Sequence, residues 1–281
     1  MKKIFFSYIQ FLPVILILPY LITILINGPE SSLVMRTPDV ESCLPVILSL
    51  QIKEDYEPEA VKAQAIIARS NVYRQMEEGK NIFDILEKTG EKLKDTYGIK
   101  DIVSKLESWE IYEEAVSETE DKVLTSEGEL KLIPYHEISS GMTRNGQEVL
   151  HNEEYSYLKS VESSGDKTAA DYLNSVYVSA RQMPKKLVIK SRDSAGYVTM
   201  LLADENPLEG EAFRQGLGLS SADFTVQIVG PKYRFLCKGK GHGLGFSQYG
   251  GNSMAKEGST CEEILKTYFP AMNLEDIWDI R

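Results

Sequence analysis

Between Lys238 and Gly251 the chain reads KGKGHGLGFSQYGG, with Gly239, Gly241, Gly243 and Gly245 alternating with Lys240, His242, Leu244 and Phe246. In extended backbone the four glycines would share one face and leave the main chain open to close approach, with Lys238 and the other large side chains opposite. Two familiar chemistries are excluded by spacing. No GxGxxG is completed and no Gly-Lys-Ser/Thr closes the run, so no nucleotide loop is encoded. Ser247 lies in GFSQYG rather than GxSxG, so a serine-hydrolase elbow is absent too. The alternatives left are a site on accessible backbone and a glycine-rich bulged strand made for tight packing.

A second polar stretch, YHEISSGMT over residues 135–143, follows a strand-like segment. Its hydroxyls and His136 read equally as sugar contacts and as turn-forming groups. The third candidate is a carboxylate. From Pro58 to Glu78, Val61, Ala65, Ala68, Val72 and Met76 recur at helical spacing, with proline at the start and Gly79 as the stop. At about 100° per residue, Glu59 lies nearly opposite that stripe, over Ala63, Ile66 and Ser70. A lone carboxylate there would be partly desolvated, which raises its pKa; the competing reading is a helix-start acid favoured by the dipole.

The elements that must position these groups follow from periodicity. Residues 40–50 are an apolar run that reads as a strand or, preferably, a helix. Helical patterns follow around 82–86 and 102–116, punctuated by Gly90 and Gly98. A period of two sets in at Val123-Leu124 and, after a turn at 126–129, at 130–133, which predicts a hairpin. A second strand pair is expected at 186–189 and 197–202, and a short helix at Cys261–Tyr268 ended by Pro270. A helix-rich first half and a strand-rich second half predict an α+β domain over 39–281.

Composition narrows the function further. The 281 residues carry a formal net charge of -11, which argues against general binding of a nucleic-acid backbone. Three cysteines, Cys43, Cys237 and Cys261, form no CxxC, and three histidines, His136, His151 and His242, form no HxxxH, so neither a redox dithiol nor a local metal site is encoded. After Lys2 and Lys3, Ile4–Ile26 is uncharged and mostly apolar, about 34 Å as a helix against a hydrocarbon core of about 30 Å. Pro13 and Pro19 are tolerable in a membrane helix. Residues 1–27 are expected to be an uncleaved anchor, cytoplasmic at its basic N-terminus, and 28–38 a tether to an extracytoplasmic domain at the cell membrane.

Five segments in order resemble the stage II sporulation protein D family, which includes amidase enhancers. EPEAVKAQAIIARS (57–70) is similar to that family's EALKAQAxAART helix, YHEISSGMT to its His-Ser/Gly-Gly-x-Thr segment, and YLKSV (157–161) to its YLKSV. FRQGLGLSSADF (213–224) matches RxxLGLxSxxF, and the stretch 241–257 matches GHGVGMSQxGAxxMA. The resemblance covers roughly 39–275.

The resemblance implies an exported lytic transglycosylase that cleaves the MurNAc–GlcNAc linkage of peptide-stripped peptidoglycan, leaving 1,6-anhydro-muramyl ends. One carboxyl suffices for that reaction: it protonates the glycosidic oxygen and then deprotonates the muramyl C6 hydroxyl. Glu59 is the preferred acid, with Glu54 as a more distant candidate. Family members commonly read Glu-Met-Pro eight residues before the helix glutamate, where this chain reads Gln51-Ile52-Lys53, and an amide cannot transfer that proton. The resemblance therefore also admits a non-catalytic peptidoglycan-binding protein that activates or positions an amidase. Gln51, His136, Ser140 and Thr143 are expected substrate contacts; His242, Ser247 and Gln248 are expected to bind sugar hydroxyls and N-acetyl groups or, alternatively, to brace the glycine loop. Gln64 and Arg69 are groove contacts or orienting partners, and Tyr249 stacks on a pyranose ring or fills core. Lys238, Lys240, Arg69 and Arg144 are expected to read the free lactyl carboxylate of stripped muramic acid. Some relatives carry a zinc site of His and Cys near the His136 segment; no cysteine lies between Cys43 and Cys237, so neither a metal nor any other cofactor is expected. Expected partners are glycan strands, the membrane, a cell-wall amidase and other sporulation proteins.

Overall fold

The computed structural model describes residues 39–96 and 108–280. The anchor and tether expected over 1–38 lie outside them. Among the described residues no helix is long and apolar enough to cross a membrane.

Helices come first. The apolar run at 40–50 is a helix, α1 (Val40–Ser49), which buries Val40, Leu44, Ile47 and Leu48 even with Pro45 inside it. Helix α2 (Pro58–Glu77) starts with proline where a missing N–H has no helical partner to lose, and stops before Gly79, whose φ of +89° is outside the helical region. Helix α3 (Ile82–Thr96) runs through Gly90, which the sequence suggested as a break. A glycine inside a helix costs only about 1 kcal/mol, and Ile82 and Ile85 ahead of it already anchor the helix in the core. Helix α4 (Trp109–Glu118) completes this layer.

The predicted hairpin is present as β1 (Lys122–Ser126) and β2 (Glu129–Leu130), with Thr125 opposite Leu130. Glu127 and Gly128 both have positive φ, the conformation a two-residue hairpin turn demands. Next come β3 (Tyr135–His136) and the short helix α5 (Gly146–Leu150). Strand β4 (Leu173–Ser179) is followed by β5 (Leu187–Arg192) and β6 (Val198–Ala203), the second expected pair, and by β7 (Asn206–Glu209) on the other side of β6. After α6 (Gly210–Leu217), strands β8 (Phe224–Val229) and β9 (Lys232–Lys238) join β4 in the order β4-β9-β8. The chain ends with β10 (Phe246–Ser247), α7 (Gln248–Lys256), α8 (Cys261–Tyr268) and β11 (Asn273–Asp276). Strand β11 pairs antiparallel with β1, while β10 pairs in parallel with β3. This is the mixed α+β arrangement the sequence predicts.

Helix α2 lies between two cores. Val61, Ala65, Ala68 and Val72 face α1, α3 and α4 as the periodicity requires. The opposite face is buried as well: Ala63, Ile66 and Ile67 pack with Phe246, Ile264, Leu265, Tyr268 and Phe269. A third cluster, around Phe224, Phe235 and Val198, fills the space between the two larger sheets.

Burial on both faces encloses Gln64, Arg69 and Ser70 of α2, so each needs a partner. Arg69 is 0% exposed. Its Nε and Nη2 donate to the two carboxylate oxygens of Glu41, each at 2.7 Å, and its remaining N–H groups donate to Thr119 Oγ1 and to the carbonyls of Lys122 and Val116. One side chain thereby ties α1, α2, α4 and β1 together. Ser70 Oγ donates to the Ile66 carbonyl and accepts from Leu124 N–H, fixing β1 against the helix. Replacing Arg69 by Met strands a carboxylate and two carbonyls, and is expected to cost about 3–5 kcal/mol in urea unfolding. A loss under 1 kcal/mol would contradict this account.

Candidate functional site

The glycine-rich segment is not the extended strand its alternation predicts. Gly239, Gly241, Gly243 and Gly245 have φ of +76°, +118°, +79° and +69°, so every second residue turns left-handed. The need for close approach is met all the same. A Cβ on Gly241 would meet His136 Cβ at 2.6 Å, and one on Gly245 would meet the Pro134 carbonyl oxygen at 2.1 Å. The freed main chain bonds outward: Lys240 and Ile138 exchange N–H···O bonds at 2.7 and 3.0 Å, and Arg144 N–H donates to the Gly243 carbonyl at 2.8 Å.

Much of the expected contact set holds this loop in place. Arg144 is enclosed by its 2.5 Å ion pair with Asp193, its donation to the His242 carbonyl and the Tyr197 ring 4.8 Å beneath its guanidinium. Thr143 is fully buried, its Oγ1 accepting from Val161 N–H. Ser140 N–H donates to the Tyr197 hydroxyl, and the Ser140 carbonyl accepts from Tyr172. Ser247 is also fully buried and donates to Asp166, which accepts from Ser139 as well. Burial pushes the Asp166 pKa up against these hydrogen bonds. Arg69, Thr143 and Ser247 are thus enclosed with their polar atoms bonded inside the protein, and Arg144 is buried with its Nε and Nη1 donating, so all four brace the fold.

His136 is 4% exposed, and its Nδ1 lies 3.0 Å from the Leu244 carbonyl, so it carries the proton there. Its Nε2 is buried without a partner. Its ring stands 5.7 Å from that of His242, whose Nδ1 accepts from Leu244 N–H. Burial first, and then the neighbouring His242, pull the His136 pKa down to about 3. Among the described residues no three of His, Cys, Asp and Glu converge as metal ligands. The three cysteines are free thiols.

Other residues do converge. Gln64 Nε2 donates to Gln51 Oε1 at 2.8 Å, and Gln248 Nε2 donates both to Gln64 Oε1 at 3.1 Å and to the Gln51 carbonyl at 2.6 Å. Gln64 and Gln248 are buried and Gln51 is half-buried, so the amide cluster opens to solvent through Gln51. Beside it, Tyr249 N–H donates to the Glu137 carbonyl. The Glu137 carboxylate in turn lies between Lys53 Nζ at 2.7 Å and Lys240 Nζ at 2.6 Å. Burial alone would raise the Glu137 pKa, but the two ammoniums hold it below the ordinary carboxylate range. Tyr56 is buried within electrostatic reach of Glu137 and Tyr249, and its pKa rises through burial. Tyr249 is half-exposed, its hydroxyl 3.3 Å from Thr168 Oγ1, so it does not fill core. Lys53, Tyr56 and Glu137 were missed by sequence reasoning; each lies within six residues of a singled-out position, but nothing in the pattern shows that the three meet.

Glu59 is not in this cluster, and its environment reverses the expectation of a raised pKa. Burial pushes it up, but Lys62 at 2.7 Å and the Cys261 N–H at 2.6 Å, at the start of α8, win and hold it below the ordinary range. Glu59 lies in the first turn of α2, as the helix-start reading has it, and its carboxylate also accepts from the first N–H of α8. Lys238 stands apart, 3.9 Å from Asp223. A cavity of about 550 Å³ lined by Leu124, Lys266, Phe269 and Glu275 contains none of the site residues expected from the sequence.

Comparison with known proteins gives this geometry its family. A family model described as stage II sporulation protein matches residues 30–126. The stage II sporulation protein D of Bacillus amyloliquefaciens is 30% identical over 82% of this chain and 72% of its own length, and that of Bacillus subtilis is 30% identical with the same coverage. The chain belongs to the stage II sporulation protein D family. An amidase enhancer of Bacillus subtilis is 44% identical over 50 residues, 18% of this chain and 7% of its own. Membership places the protein in the cell-wall context of sporulation.

Two expectations follow from the titrating groups. The folded His136 value of about 3 lies below its ordinary 6.5, so the unfolded chain takes up the proton first. The stability involved is complete above pH 6.5 and is lost as pH falls from there toward 3. His136→Asn keeps a donor for Leu244 without titrating, and its melting temperature is expected to fall less steeply over that window; parallel curves would contradict this. Glu59 has linkage of the same sign, contributing stability above about pH 4.5 that disappears as acid protonates it. Glu59→Gln is expected to lose about 1–2 kcal/mol at neutral pH in chemical denaturation, and progressively less as pH falls below about 4.5.

Proposed function

We propose that this chain binds peptidoglycan glycan strands during sporulation-linked wall remodelling and, with glutamine at position 51, holds them without cutting. The observation that carries this reading is the Gln51–Gln64–Gln248 cluster, which puts an amide where the family resemblance expects a carboxyl. Lytic transglycosylation needs one group that gives a proton to the glycosidic oxygen and then accepts one from the C6 hydroxyl. An amide does neither. Three other carboxyls are poor substitutes: Glu137 is held ionised by two lysines, Glu59 lies outside the cluster and is ionised at the start of α8, and Asp166 is buried behind serines.

What the cluster does well is bind. Amides both donate and accept, which suits N-acetyl groups and sugar hydroxyls, and Tyr249 offers an aromatic face to a pyranose ring. His242 and Ser140 act from behind as supports of the glycine loop. An N-terminal anchor would present the domain on the outer face of the cell membrane, where glycan is. The likeness to an amidase enhancer supports coupling to an amidase that strips stem peptides and so prepares the strand.

The test uses the full chain in detergent, incubated with amidase-stripped peptidoglycan, with sedimentation and mass spectrometry of the released products. Wild type is expected to co-sediment and release nothing, and Gln51→Glu to release anhydro-muramyl fragments. Fragments from the wild type would overturn the non-cutting reading, and failure to co-sediment would overturn glycan binding.

A further inference from the structure

The Lys53–Glu137–Lys240 triad does more than hold three segments together. Lys53 comes from the loop between α1 and α2, Glu137 follows β3, and Lys240 belongs to the glycine loop. Both ammoniums converge on a single carboxylate, at 2.7 and 2.6 Å. The lysine side chains are 53% and 49% exposed, while that of Glu137 is 22% exposed, so the cations face solvent and the anion lies behind them. Glu137 Oε1 is buried and receives no directed hydrogen bond, although Lys53 is close to it.

We propose that Glu137 is an internal stand-in for a ligand carboxylate, so that Lys53 and Lys240 form an anion-reading site that the protein's own acid keeps occupied. This rests on the glycan reading above and deepens it. The triad adjoins the amide cluster through short chain segments: Lys53 is two residues from Gln51, and the Glu137 carbonyl accepts from the residue after Gln248. A sugar seated on the amides therefore has its substituents beside the lysines. The substituent with matching chemistry is the lactyl carboxylate of a muramic acid without its stem peptide; in a peptide-bearing strand that carboxyl is a neutral amide. Charge-assisted hydrogen bonds to ammonium groups distinguish the two.

The cations that sequence alone suggested for this role are reduced to one. Arg69 and Arg144 are enclosed in ion pairs and Lys238 stands near Asp223, which leaves Lys240, joined by Lys53. Asp55 and Asp171 also lie within electrostatic reach of Lys53 and temper its charge. Half-exposed ion pairs contribute little to stability, so exchanging Glu137 for a ligand carboxylate costs the fold little. The internal acid instead sets an affinity threshold: a strand binds only if its own carboxylate, together with the amide contacts, outcompetes Glu137.

The experiment measures binding of the full chain to two soluble probes, a GlcNAc–MurNAc tetrasaccharide with free lactyl carboxylates and the neutral tetrasaccharide of GlcNAc. The readout is the ratio of their affinities. Glu137→Gln, which removes the competing charge, is expected to raise the preference for the carboxylate probe roughly fivefold. Lys240→Gln is expected to lower that preference toward one, and both variants should melt close to wild type. An unchanged or reduced preference in Glu137→Gln, while both probes still bind, overturns the stand-in role alone. Failure of both probes to bind wild type overturns the glycan reading and this inference with it.

Discussion

Helix α2 is buried on both faces, and most of the structure can be understood as the consequence. Polar groups on the two buried faces need partners inside the protein, and this helix carries Gln64, Arg69 and Ser70 at 0% exposure. Arg69 is satisfied only if Glu41, Thr119 and the carbonyls of residues 116 and 122 all stand around it, which fixes α1, α4 and β1 at once. Gln64 is satisfied only by Gln51 and Gln248. The same constraint that builds the core therefore builds the site, because the partners of one buried amide are the groups that open to solvent.

The glycine loop supplies the second half of that site by a different device. Its left-handed glycines let the main chain pass within contact of Pro134, His136 and Tyr197, where side chains would collide. Arg144 and the Asp166–Ser139–Ser247 node then hold it from behind. A rigid frame of this kind limits the entropy lost when a ligand is ordered against it. It also explains why many polar residues in the family-like motifs do not face outward: they are the supports of the few that do.

Charge is distributed in keeping with this division. The chain is acidic overall, at -11, yet two of its lysines meet at one half-buried carboxylate beside the amide cluster. Acids elsewhere are used locally, as Glu59 is at the start of α8 and Glu41 is on Arg69. An acid needed as a proton donor must be shielded from cations and hydrogen-bond donors. None of Glu59, Glu137 and Asp166 meets that condition together with access to the amide cluster.

The sequence by itself determined whatever depends on local periodicity and short-range stereochemistry. The stripe on α2, the hairpin at Glu127-Gly128, the strand pair around 193–196 and the helix at Cys261–Tyr268 were all legible, because the signals for them lie within a few residues. The family was legible for the same reason, since its motifs are contiguous. Tertiary structure alone decided what each polar side chain does. Glu59 reads as a desolvated acid until α8, some 200 residues later, brings an N–H to it. Alternating glycines read as a strand until positive φ at each shows a looped path. Lys53, Glu137 and Lys240 come from three separate segments, and no local pattern records their meeting. Protonation and hydrogen bonding are set by neighbours in space, and for these residues the neighbours are distant in the chain.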